Sequence, residues 1–127
     1  MAGYSGTPLP QKLGIREHSR VRLLAAPEGF GRSLGVVPRA RGEADVIVAF
    51  FTSRDRLAKA FGRLRAALDP AGGLWIAWPK KTANIATDLD FGAVQRTGLD
   101  AGLVDNKSCA IDESWQALRF VKRLRDR

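Results

Sequence analysis

The segment Asp45–Lys81 constrains the fold of this chain more than any other. It opens with an apolar run, DVIVAFF, passes through SRDRLAKAFGRLRAAL and a DPAGG turn, and closes on a second apolar run, LWIAWPKK. In the middle part Leu57, Phe61, Leu64 and Leu68 recur at i, i+4, i+7 and i+11, which places them on one stripe of a helix. Arg56, Lys59 and Arg63 fall on the opposite side. Ser53, with Thr52 before it, offers a hydroxyl to the free N–H groups of the first turn. Two buried apolar runs joined by an amphipathic helix make a β-α-β crossover, and such a crossover joins parallel strands.

The flanking segments extend this unit. Arg20–Ala26 (RVRLLAA) alternates and then turns apolar, as a first strand stopped by Pro27. Thr7 and Pro8 start a short helix that Gly14 ends. Pro27–Gly35 has room for a turn or a short helix, and Val36-Val37 for an extra edge strand. Asp88 or Asp90 caps a helix reaching Gly102, with Phe91, Val94 and Gly98 turned inward. Leu103–Ile111 and Leu118–Arg123 read as strands, and Asp112–Gln116 between them is too short for a crossover, so this pair is antiparallel. The expected fold is α/β: a reduced Rossmann-like mixed sheet of about five strands, three parallel and then a C-terminal antiparallel hairpin, flanked by helices. Residues 1–7 are expected to be a flexible N-terminal arm, and residues 8–127 a single Rossmann-like domain.

Bulk chemistry narrows the function classes. With 127 residues, 45% of them hydrophobic, the chain can build its own core. One cysteine, Cys109, and one histidine, His18, exclude a disulfide framework and a Cys/His metal site, so no metal is expected. There is no Walker A, Gly-x-Ser-x-Gly or metalloprotease motif, and no catalytic residues are assigned. No apolar run approaches the roughly 20 residues that span a bilayer, so no membrane partner is expected. The start, MAGYSGTPLPQK, lacks an apolar h-region, and a cytoplasmic protein is expected. A net charge of +8 favours nucleic acid, an acidic protein face or a phosphorylated small molecule; it equally suits a solvated basic surface.

Two resemblances follow from particular residues. LRAALDPAGGLWIAW, with the strand before it and the hairpin after it, resembles in shape the later half of a class I methyltransferase, which implies S-adenosylmethionine as cofactor. The glycine-rich loop of that family is replaced here by Pro27-Glu28-Gly29-Phe30, and the unit bearing its ribose-binding acid is missing. No cofactor is therefore expected. At sequence level, GYSGTPLPQKLGI, GLWIAWPKK and GLVDNKSCAIDESWQALRFVKR resemble a family of small bacterial proteins known as domain of unknown function 3052. That resemblance implies a stand-alone domain and assigns no activity.

If the first three strands are parallel, their C-terminal ends gather Glu28, Gly29, Phe30, Thr52, Ser53, Arg54, Trp78, Lys80 and Lys81 on one edge. Hydroxyls, an arginine fork, two lysines and a helix N-terminus suit a phosphate or carboxylate. The plain alternative is that Ser53 only caps its helix and the lysines are solvated. Trp75 and Trp78, three apart on a strand, face opposite sides of the sheet, so Trp78 is core or a stacking surface beside Lys80. Asp112 and Glu113, with Asp105, Asn106, Lys107 and Trp115 nearby, suit either acid–base work or a polar hairpin turn. Cys109 is expected to be a buried small side chain, and His18 a surface residue. A basic surface of Arg56, Lys59, Arg63, Arg123, Arg125 and Arg127 suits nucleic acid, although no aromatic platform is interleaved with it in the sequence. The leading expectation is a non-catalytic binding or regulatory protein on a degenerate methyltransferase-like fold. The alternatives are a binder or enzyme of a small anionic ligand at the Ser53/Lys80 edge, and a nucleic-acid-binding module.

Overall fold

A computed structural model describes residues 6–127, so residues 1–5 of the expected arm lie outside the described residues. In chain order the elements are α1 (Leu9–Lys12), β1 (Val21–Leu24), β2 (Ala44–Phe50), α2 (Arg54–Ala67), β3 (Leu68–Pro79), α3 (Phe91–Asp100), β4 (Leu103–Ala110) and β5 (Trp115–Lys122). Single 3-10 turns lie at Gly31–Leu34, Lys81–Ala83 and Leu124–Asp126. The strands form one mixed sheet in the order β1-β2-β3-β5-β4. β1–β2 and β2–β3 are parallel, and β3–β5 and β4–β5 are antiparallel.

α2 starts where Ser53 Oγ accepts the Arg56 N–H, and it buries Leu57, Ala60, Phe61 and Leu64. Leu68 falls on the same stripe but is already extended: it ends the helix and pairs with Ala44. The DPAGG turn is kept as an excursion inside β3, because the next partners in register are Val46 and Gly73. Asp69 Oδ1 closes that turn by accepting the Ala71 N–H at 2.8 Å. α3 is capped by Asp90, which accepts the Ala93 N–H, and it buries Val94 and Gly98. Phe91, expected to point inward, is 47% exposed at the first turn of α3.

The sheet separates two apolar layers. On one face Ile47, Ala49, Leu74, Ile76, Trp78, Leu118 and Phe120 meet α2 and α3. On the other Val46, Val48, Phe50, Trp75, Ala77 and Ala117 meet Leu13, Ile15, Phe30, Leu34 and Ile111. Trp75 is fully buried there, and its indole N–H donates to the Leu13 carbonyl at 3.0 Å, which ties the N-terminal segment to the sheet.

This arrangement corrects the Rossmann-like expectation. A doubly wound sheet carries helices on both faces and reverses its strand order at a switch point, where ligands bind. Here α2 and α3 share one face, and the opposite face is covered by a one-turn helix, a 3-10 turn and loops. β1 reaches β2 through that 3-10 turn and irregular chain, since Pro27, Gly29, Gly35 and Pro38 interrupt any helical run. The Val36-Val37 edge strand does not form, and Val37 is 93% exposed. Strand order advances from β1 through β2 to β3 without reversal, and only two of the pairings are parallel.

At the opposite end of the sheet Arg20 ties three segments together. Its Nη2 lies 2.6 Å from Asp45 Oδ1 and 2.8 Å from Asp69 Oδ2, and its Nη1 lies 3.6 Å from Glu43. The Arg20 side chain holds the Asp45 carboxyl below its ordinary value of 3.8, against partial burial. The Ala71 N–H does most to lower Asp69, with Arg20 adding to it.

Two tests follow. A carboxylate whose pKa is depressed by folding stabilises the fold above its unfolded value and loses that contribution as pH falls through its folded value. The urea midpoint should therefore drop as pH falls below about 3.8, and drop less in Asp45→Asn; equal slopes would refute the role of the network. Gly98 packs so closely on Phe120 that an added methyl group would overlap the ring. Gly98→Ala should destabilise by about 1–3 kcal/mol in urea unfolding, against the gain of about 1 kcal/mol that the same change brings on a free helix face.

Candidate functional site

The three parallel strands end on one rim. β1 stops at Leu24, and Ala25 takes the left-handed conformation with φ 55°, turning the chain away. Beyond β2 the Phe51 N–H still donates to the Ala77 carbonyl at 2.9 Å before Thr52 and Ser53 lead into α2. Between the divergent ends of β1 and β2 opens a cleft of about 460 Å³. Phe50, Phe51 and Trp115 form its apolar floor, and Leu24, Ala25 and Thr52 its β-strand side. The α2 wall carries Arg56, Lys59 and Arg63. Phe50 meets Trp115 edge-to-face at 5.1 Å and Phe30 at 5.0 Å, so the floor is held by an aromatic stack. Lys59 pairs with Asp55 at 3.0 Å. The guanidinium groups of Arg56 and Arg63 have no ion pair and no hydrogen bond among the described residues.

The N-terminus of α2 is not an open anion site. Asp88 Oδ1 accepts the Arg54 N–H at 2.8 Å, and the Asp88 carbonyl accepts Arg54 Nε at 2.6 Å. Arg54 Nη2 also lies 3.7 Å from Asp90. Thr87 Oγ1 donates to the Thr52 carbonyl at 2.7 Å, which fastens this loop across the helix start. The chain thus fills its own helix N-terminus with a carboxylate, where the helix dipole favours one.

Past that loop lies a second cleft, of about 960 Å³, lined by Trp78, Lys80, Lys81, Asp88, Asp90 and Phe91 among others. Its lining brings those lysines together with acids, which offset their charge. The edge expected to gather in one place is therefore divided. Thr52 lines the rim cleft, while Lys80 and Lys81 line the loop cleft; Ser53 serves as a cap and Arg54 is committed to Asp88 and Asp90. Glu28 and Gly29 form an exposed turn closed by the Phe30 N–H on the Pro27 carbonyl; Gly29 is there because the turn needs its φ of 83°. Phe30 is core, and Trp78 is only 2% exposed beneath Phe91.

The expected nucleic-acid set is divided as well. Arg56, Lys59 and Arg63 share the rim cleft. Arg125 sits 3.9 Å from Asp126 at the other end of the sheet, and Arg127 donates to the Lys122 carbonyl. Arg119, paired across from Trp75, lies on the face away from α2; burial, and then the nearby charge of Arg127, hold its pKa below the ordinary value.

Trp115 is the residue that sequence reasoning left outside the site. It belonged with the hairpin acids, yet Asp112 Oδ1 only closes that turn by accepting the Ser114 and Trp115 N–H groups. The available signal was the alternation of Trp115 with Ala117, which sends both to one face. Cys109 is half-buried rather than buried, and burial pushes its thiol up against the smaller pull of Lys12 and Lys107. Among the described residues no group of three or more His, Cys, Asp or Glu side chains could hold a metal ion. Among the described residues no helix is long and apolar enough to cross a membrane. The chain matches no protein-family model and no curated protein.

Proposed function

We propose that this chain is a non-catalytic binding protein that takes an anionic ligand in the rim cleft, against Arg56, Lys59 and Arg63. The observation that carries this reading is the pair of guanidinium groups, Arg56 and Arg63, that line an apolar-floored cleft with no partner of their own among the described residues. Arginine offers a planar fork matched to phosphate or carboxylate, and an apolar floor raises the value of such contacts by lowering the local dielectric. The net charge of +8 supports an anionic partner by drawing it in from a distance. Binding without turnover is supported by where the nucleophilic side chains lie: His18 is exposed away from the cleft lining, and Cys109, whose thiol burial pushes up, lines a different cleft. The same cations are a poor match for S-adenosylmethionine, which carries a net positive charge. Membership of the domain of unknown function 3052 family, proposed from the three quoted segments, adds no activity to this reading.

Thermal unfolding with inorganic triphosphate tests it. A ligand present at about 100 times its Kd stabilises by about 2.7 kcal/mol. The midpoint should rise by several degrees in the unmodified chain and in Lys80→Ala/Lys81→Ala. The rise should be lost in Arg56→Ala/Arg63→Ala, which alters exposed side chains only. An undiminished rise in the arginine variant, or its loss in the lysine variant, would place the anion elsewhere.

A further inference from the structure

Leu24 and Arg63 line the rim cleft and also a narrower groove of about 240 Å³, so the two adjoin. The groove follows the seam between β1 and α2, over Ile47, Leu64 and Ala67, and ends at Arg22. Arg22 Nη1 donates to the Gly42 carbonyl at 3.0 Å, and the rest of its fork has no partner among the described residues. β1 is an edge strand, and α2 packs towards β3 and α3, so among the described residues no helix or strand covers the seam. Arg56 and Arg63 are two turns apart, roughly 10 Å along the helix axis. One carboxylate or one phosphate cannot engage that row of cations; a linear polyphosphate can.

The floor of the same cleft carries an indole. Trp115 is half-buried, packed edge-to-face on Phe50 on the helix-free side of the sheet. An indole beside a line of cations is the pairing that binds a planar ring attached to phosphates. The volume of the rim cleft falls in the small-ligand range of about 300–1,000 Å³. Building on the anion-binding reading above, we infer that the ligand is a nucleoside polyphosphate. It would lie across the rim with its base on Trp115 and its phosphates running past Arg56, Lys59 and Arg63 to Arg22.

Tryptophan fluorescence tests this directly. Trp75 and Trp78 are 0% and 2% exposed, so quenching by a bound ring reports on Trp115. The probes are ATP, AMP, inorganic triphosphate, S-adenosylmethionine and an eight-residue oligo-deoxyadenylate, each titrated at physiological salt. ATP should quench and bind about tenfold or more tightly than AMP or inorganic triphosphate, and Trp115→Phe should abolish the quenching. Arg22→Gln should weaken ATP by about tenfold, the usual size of a charge-assisted contact, and leave AMP unchanged. Equal affinity for ATP and inorganic triphosphate would overturn the nucleotide inference while leaving the anion-binding reading intact. Tighter binding of the oligonucleotide with steep salt dependence, or of S-adenosylmethionine, would also overturn it, as would the absence of quenching by ATP or an unaffected Arg22→Gln.

Discussion

The central strand β3 is buried on both faces from Gly72 to Pro79, and the rest of the molecule is placed by what pairs with its two edges. Parallel pairing with β2 requires a crossover, so α2 must leave the rim and return along the sheet. Antiparallel pairing with β5 requires none. Once Leu57, Ala60, Phe61 and Leu64 are committed to the sheet, Arg56, Lys59 and Arg63 have to face away from it. Because α2 leans towards β3 and α3, the end of β1 is left uncovered, and the rim cleft is the space that remains.

Charge decides which part of that rim can still bind an anion. Near α2's first turn the chain supplies its own carboxylates, with Asp88 on the Arg54 amide and Asp90 beside its guanidinium. Lys80 and Lys81 line a cleft with those same acids. On the rim-cleft side of α2, among the described residues, Lys59 has only Asp55, and Arg56 and Arg63 have no such partner. Desolvating an unpaired guanidinium is costly, so these groups stay at an open cleft edge where water or a ligand can solvate them.

Local periodicity made much of this legible. The Leu57–Phe61–Leu64 stripe, the Ser53 and Asp90 caps and the opposite facing of Trp75 and Trp78 depend on neighbours within a turn or a few strand residues. What was not legible depends on distant segments. Asp88 reaches Arg54 across 34 positions, and nothing near Ser53 announces that its helix end is already occupied. Trp115 enters the cleft only through the β3–β5 register, which sets it opposite Pro79. The Rossmann-like expectation extended one genuine crossover to a whole architecture. The prolines and glycines that break the link from β1 to β2 were in view, but their consequence, a second face without a covering helix, was not carried through to the architecture.

The account rests on a single location for the anion, and amide chemical-shift mapping locates it without any variant. On titration of inorganic triphosphate into the isotopically labelled chain, the largest shifts should fall at Thr52, Arg56, Lys59 and Arg63. Shifts centred instead on Lys80–Asp90, or spread evenly over the basic surface, would contradict it.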